Sequence, residues 1–273
     1  MAEIRLRTVD AFTDKPFTGN PAAVVMLDEV PSDDWLAAVA RETGVSDTGF
    51  VIREKLSDAD FRLRWFTPVQ EVDLCGHATL ASAHCLFEDG VVGPIRFATR
   101  SGVLTVSQQP DGSLVMDFPP LPPAQVELEV EVSEALGMPV EWTGYSEDNF
   151  FLVAVATNER SVRNLVPDLN AIAQLDASAI IVTAPADPGE TYDFVSRLFA
   201  PKVGIDEDPV TGSSHTLLAP YWGNRLSRTS LVGLQASPRP GLVGVELKGN
   251  RVLITGHAVT VVDGVLRASA NPG

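Results

Sequence analysis

Seven titratable side chains gather at two places in the chain, and their types suit proton transfer. Asp47, Cys75 and His77 form the first group; Asp206, Glu207, Asp208 and His215 form the second. Both groups stand beside segments that read as helix starts. A helix N-terminus holds a nearby carboxylate charged, whereas a hydrophobic cleft raises its pKa toward a range useful for a base. Proton transfer needs one such group within hydrogen-bond reach of the reacting atom. Each candidate also has a plainer reading. Asp47 follows Ser46 and fits a turn acid; Asp208 precedes Pro209 and fits a helix cap; His77 fits a structural imidazole. Asn20, in the polar turn Thr18-Gly19-Asn20-Pro21, either faces a site or shapes the turn. His84 and His257 show no partner and read as structural or surface residues.

Cys75, His77, His84 and Cys85 share one loop and one helix, where they cannot close a tetrahedron around a single ion. No metal is expected. Walker loops, dinucleotide fingerprints and nucleophile elbows do not occur, so no cofactor is expected either. The two cysteines, Cys75 and Cys85, do not make a disulfide framework.

The elements that must position these groups repeat once. Arg64-Trp65-Phe66-Thr67-Pro68 returns as Arg197-Leu198-Phe199-Ala200-Pro201. Each motif closes a hairpin pattern: Phe50-Val51-Ile52 with Phe61 to Phe66, and Ile180-Ile181-Val182 with Tyr192 to Arg197. Each then runs through a loop to a glycine expected to open a helix, Gly76-His77-Ala78 and Gly212-Ser213-Ser214. Two equivalent helix ends facing one cleft would aim unpaired N–H groups at a bound anion, and a carboxylate suits them. Glycine there lets the ligand approach the backbone, although each glycine alone also fits simple packing relief.

The seam between the halves is expected near Asp117-Phe118-Pro119-Pro120-Leu121-Pro122-Pro123, because prolines this dense continue neither a central strand nor a helix. Domain one is residues 1–117 with closing strands 257–273; domain two is 118–256. Ser32 caps a helix through about Arg41, with Trp35, Leu36 and Val39 on one face and Gly44 beyond it. Ala78 to Phe87 reads as a buried helix stopped by Gly90. Val103 to Val106, Leu114 to Phe118, Phe151 to Ala156 and Val252 to Thr255 read as strands, which makes the class α+β.

Bulk properties narrow the partners. The chain has 273 residues, 45% hydrophobic and 21% charged, which is ordinary globular composition. A formal net charge of −16 repels nucleic acid and anionic lipid. An anionic substrate would need positive character supplied locally, and backbone amides can provide it. No apolar run approaches the roughly 20 residues that span a bilayer. Met1 to Arg5 alternates like a first strand and has no basic leader followed by an apolar core, so a cytoplasmic location is expected.

These segments together resemble the PhzF-like family of phenazine-biosynthesis isomerases. The resemblance rests on Val9-Asp10-Ala11-Phe12-Thr13 with Phe17 to Ala22, on Arg64 to Pro68 with Glu71 and Cys75 to Ala81, on Gly204 to Ser213, and on Val252 to Val265. It implies the diaminopimelate epimerase-like fold, in which two pseudo-symmetric halves each wrap a barrel-like, mostly antiparallel sheet around a central helix. It also implies a homodimer and an active site between the halves, with the last strands returning to the N-terminal half. In the family one acidic residue shuttles a proton, assisted by a histidine and an aspartate that match His77 and Asp208. Gly212 and Ser213 match an anion-binding helix end. The family's Ser-Glu-Thr is here Ser46-Asp47-Thr48, a shorter arm by about 1.5 Å. Related two-thiol racemases carry a cysteine in each half; Cys75 holds the first position, but Val210 holds the second and cannot exchange a proton.

The expected activity is therefore a cofactor-independent acid–base isomerase of a small cyclic or unsaturated carboxylate. Asp47, His77 and Asp208 would be catalytic; Asn20, Gly76, Gly212 and Ser213 would bind the substrate. Two rivals stand beside it: a non-catalytic binder of small anions on the same fold, and a one-base epimerase using Cys75.

Overall fold

The computed structural model describes residues 4–267. Met1 to Glu3 of the expected first strand and residues 268–273 of the expected closing segment lie outside the described residues. Two compact units divide the chain: one runs to Asp117 and resumes at Thr255, and the other spans Phe118–Ile254.

In the first unit β1 (Ile4–Ala11) and β2 (Asn20–Leu27) precede α1 (Asp33–Thr43), β3 (Asp47–Ile52), β4 (Phe61–Phe66), β5 (Glu71–Val72) and α2 (Gly76–Glu88). Then come β6 (Ile95–Thr99), β7 (Gly102–Gln108) and β8 (Leu114–Phe118). The second unit opens with β9 (Ala124–Val126), α3 (Glu129–Leu136), β10 (Val140–Ser146), β11 (Phe151–Ala156), α4 (Glu159–Arg163) and α5 (Leu169–Gln174). It continues with β12 (Ala179–Pro185), β13 (Phe194–Ala200), β14 (Ile205–Asp208), α6 (His215–Leu226), β15 (Ser230–Gln235) and β16 (Gly241–Lys248). Along β17 (Arg251–Gly256) the chain passes back to the first unit, where β18 (Ala258–Leu266) pairs antiparallel with β1.

The repeat seen in the sequence is a repeat of topology. In the first unit the pairs β1–β2, β2–β3, β3–β4, β4–β6 and β6–β7 alternate antiparallel, parallel, antiparallel, parallel, antiparallel. In the second, β10–β11, β11–β12, β12–β13, β13–β15 and β15–β16 follow the same alternation. Parallel neighbours need long crossovers. These are α1 and α2 in one unit, and α4 with α5 and then α6 in the other. Each unit is thus an α+β half, a mostly antiparallel barrel-like sheet with a helix at its centre. Every residue of α2 from Gly76 to Ala83 is buried, as a helix enclosed by sheet requires.

Local chemistry explains the elements that hold the site. Ser32 Oγ accepts the Trp35 N–H at 3.3 Å, and Gly44 ends α1 in the left-handed conformation at φ 67°. The helix buries Trp35, Leu36, Val39 and Ala40 against Val25, Phe50, Ile52 and Phe66. Strand β3 is buried on both faces. Phe50 and Ile52 meet α1, and Gly49 meets α2: a Cβ there would lie 2.7 Å from Ser82 Oγ. Gly49→Ala is expected to push α2 away from β3 and to cost about 1–3 kcal/mol, read by denaturant unfolding.

The Arg-x-Phe-x-Pro echo performs one task twice. Arg64 donates to both Glu71 oxygens at 2.7 and 2.6 Å and lies 5.1 Å from the Phe66 ring centre. Arg197 donates to both Glu207 oxygens at 2.7 and 2.8 Å and lies 4.9 Å from the Phe199 ring centre.

One expected helix start is corrected. Gly212 does not open a helix; Gly212 to Ser214 form a turn and α6 begins at His215. The His215, Thr216 and Leu217 amides bond three residues back, to Gly212, Ser213 and Ser214 carbonyls, each at 3.1 Å. Gly and Ser are poor helix residues, and the Ser214 hydroxyl bonds the Thr211 carbonyl at 2.7 Å, so the chain tightens before it becomes α-helical. Pro220 inside α6 cannot donate to the Thr216 carbonyl, and the Leu121 amide fills that acceptor at 3.0 Å.

Candidate functional site

Asp47, His77, Cys75 and Asn20 converge in the first unit. Asn20 and Asp47 begin the adjacent parallel strands β2 and β3, and Cys75 and Gly76 begin α2. Along β3 the alternation of side chains puts Asp47 on the Gly49 face, toward α2, and Thr48 on the α1 face, where it bonds Thr43 at 2.9 Å. His77 Nε2 lies 3.5 Å from Asp47 Oδ2 and 3.4 Å from Ser46 Oγ. Ser46 Oγ also reaches Asn20 Oδ1 at 3.4 Å and the Pro21 carbonyl at 3.3 Å. Cys75 Sγ is 3.5 Å from His77 Nδ1. All of these candidates except Gly76 carry polar side-chain atoms, and Asn20, Asp47, Cys75 and His77 are all buried.

Asp47 is therefore not an exposed turn acid, and Asn20 belongs to a strand rather than to the turn before it. The pairing of a buried carboxylate with an imidazole is an arrangement that can take, hold and return a proton. His84, expected to lack a partner, lies 3.2 Å from Glu88 one turn along α2 and belongs to the wall of that helix. Cys85 is held as a thiol, pushed up to about 12 by burial.

The second unit contributes Asp208, Gly212 and Ser213. Asp208 ends β14, and its carboxylate accepts a hydrogen bond from the Thr211 hydroxyl. It does not cap α6: Pro209 keeps the residue before it extended, and the helix starts beyond the turn. Gln235, at the end of β15 and fully buried, fixes the loop between them. Its Oε1 accepts the Thr211 amide at 2.8 Å, and its Nε2 donates to the Asp208 carbonyl at 2.8 Å and to Thr211 Oγ1 at 3.3 Å. Val210 is buried in this loop. The Gly212 and Ser213 amides precede the first donor of the helical ladder, His215, as the N-terminal end of a helix requires.

Thr211 and Gln235 were not among the sequence candidates. Gln235 stands 24 residues from Thr211, and a lone glutamine in a strand carries no local signal. Gln235→Leu is expected to leave buried backbone groups at 208 and 211 without partners and to cost about 1–3 kcal/mol for each, seen as a lower denaturant midpoint.

His215 lies behind this loop. Its Nδ1–H donates to the Thr211 carbonyl at 2.9 Å and its ring packs 5.8 Å from that of Phe194. Burial lowers its pKa from 6.5 to about 4, against a smaller opposing pull from the Thr211 carbonyl. Between those values the unfolded chain takes up a proton that the folded chain refuses, so stability falls as the pH drops through that window. The loss is about 3 kcal/mol when complete. Unfolding free energy measured against pH should show this slope in the wild type and lose it in His215→Asn.

Among the described residues no helix is long and apolar enough to cross a membrane. The family described as phenazine biosynthesis-like protein matches residues 9–264. The chain is 46% identical to an uncharacterized isomerase of Pseudomonas aeruginosa over 270 residues, covering 98% of this chain and 100% of that one. A second uncharacterized isomerase of that organism is 45% identical over 266 residues, covering 97% and 99%. A PhzF-family phenazine biosynthesis protein of Enterococcus faecalis has a solved structure that superposes with a TM-score of 0.91 at 39% identity, covering 98% and 100%.

Proposed function

The chain belongs to the phenazine biosynthesis-like protein family, and from that membership we propose that it is a cofactor-independent isomerase that shifts a proton within a small cyclic or unsaturated carboxylate. Asp47 takes the proton from one atom and returns it to another. His77 orients the carboxylate and shares the charge that develops. Asp208, held by Thr211 and Gln235, is the assisting aspartate. The amides of Gly76, His77, Gly212 and Ser213 hold the substrate anion, and Asn20 adds a polar contact at the end of β2. In this reading the substrate is a cytoplasmic metabolite, and the protein works as a homodimer.

The observation that carries the reading is the 3.5 Å approach of His77 Nε2 to Asp47 Oδ2, both side chains buried at the start of a strand and a helix. A buried acid with an imidazole beside it is the minimum equipment for general acid–base catalysis. The test is incubation in deuterated water with a panel of small cyclic and amino carboxylates, followed by NMR. Deuterium entering a substrate carbon supports the proposal and names a substrate class. A panel member that binds tightly and never exchanges counts for a binding protein instead.

The 3.5 Å contact of Cys75 Sγ with His77 Nδ1 favours one alternative, an epimerase that uses Cys75 as its single base. Activity that survives in Cys75→Ala removes it.

A further inference from the structure

The sequence set of Cys75, His77, His84 and Cys85 fails as a metal site, but the fold brings a carboxylate to two of them. Among the described residues, Asp47, Cys75 and His77 place one carboxylate oxygen, one sulfur and one ring nitrogen all within 4.8 Å of one another. Asp47 comes from β3 and the other two from the start of α2, so the donors come from two elements instead of lining one helix face. The geometry points to a second use of these atoms: a three-donor chelate for Zn2+, in which the cation binds Asp47 Oδ2, Cys75 Sγ and His77 Nε2 and leaves a fourth position open.

The separation of Asp47 and His77 matches such an ion, and that of Cys75 and His77 is a few tenths of an ångström longer. A tetrahedral zinc with bonds of about 2.0–2.3 Å separates its ligand atoms by about 3.3–3.6 Å. Here His77 Nε2 is 3.5 Å from Asp47 Oδ2 and 3.9 Å from Cys75 Sγ. Cys75 Sγ lies nearer His77 Nδ1, at 3.5 Å, so metal binding at Nε2 would require the Cys75 and His77 side chains to rotate. The charges also balance. Binding displaces the thiol proton to solvent as the Zn–S bond forms, so the carboxylate and thiolate together cancel the two positive charges in a buried site. Magnesium and calcium are poorly served, because they seek six or more oxygens and the site offers one carboxylate with nitrogen and sulfur.

Cation binding would occupy the oxygen and nitrogen assigned above to proton transfer, so zinc would act there as an inhibitor. Only that inhibitory consequence rests on the isomerase proposal; the chelate does not. The test is anaerobic titration of the full chain with Co2+, a spectroscopic stand-in for zinc. The wild type should develop a thiolate-to-cobalt charge-transfer band and the visible bands of a four-coordinate ion at one equivalent, and Zn2+ should abolish both. Cys75→Ser should remove the charge-transfer band, Asp47→Asn should weaken binding by about tenfold or more, and Cys85→Ser should change nothing. Circular dichroism confirms that each variant is folded. No charge-transfer band in the wild type, or a band that persists in Cys75→Ser, overturns the site. A band with no substrate exchange in the metal-free protein upholds the chelate and counts against the isomerase reading alone.

Discussion

Asp47→Asn is expected to lower deuterium exchange into the substrate by about 10²–10⁴-fold, the usual contribution of a positioned acid–base group. The amide fills nearly the same volume at the start of β3 and still meets His77, so the fold should stand; it cannot accept the proton. Asp47→Glu separates chemistry from geometry. It restores a carboxylate on an arm longer by about 1.5 Å, and misplacement by about 1 Å can cost around a hundredfold. The glutamate variant should therefore exchange faster than the asparagine variant and more slowly than the wild type. NMR in deuterated water reads the rates, and circular dichroism reads the fold. Equal rates in wild type and Asp47→Asn would remove Asp47 from the mechanism.

Arg197→Met is expected to be strongly destabilising, by about 3–5 kcal/mol. The Arg197 side chain is 9% exposed and Glu207 is 17% exposed. The guanidinium also donates to the Leu165 and Val162 carbonyls, at 2.6 and 3.3 Å. Removing it strands a half-buried carboxylate and two acceptors at once. Arg64→Met should cost less, although the motif is the same, because Glu71 retains Arg100 at 2.6 Å. Pairing Arg197→Met with Glu207→Leu should recover much of the loss, since an apolar pair no longer contains an orphaned charge. Urea unfolding of the three proteins checks the order. A loss below about 1 kcal/mol in Arg197→Met would place this pair with ordinary surface ion pairs.

What could be read from the sequence was local. Ser32 and Gly44 mark α1 because cap chemistry is confined to a few neighbouring residues. The repeated Arg-x-Phe-x-Pro betrayed the duplication because each copy needs the same arginine, the same ring beneath it and a turn after it. What was missed depended on distant partners or on competing local bonds. The parallel pairs β4–β6 and β13–β15 join strands separated by an entire helix, so no nearby residue signals them. Gln235 reaches Thr211 and Asp208 only after β15 has folded beside β13. The start of α6 moved because the Ser214 and Thr216 hydroxyls took backbone carbonyls that a regular helix would have used. Within the site, Asp47 and His77 were each legible as candidates. Their meeting was expected only through the family resemblance, because Asp47 and His77 stand 30 residues apart and are joined by the packing of α2 on β3.

The most direct test of the central claim compares isotope exchange in wild type, Asp47→Asn and Cys75→Ala on the same substrate. The proposed mechanism predicts exchange in the wild type and in Cys75→Ala, and its loss in Asp47→Asn. Exchange that persists in Asp47→Asn and disappears in Cys75→Ala would contradict it and assign the proton to the thiol.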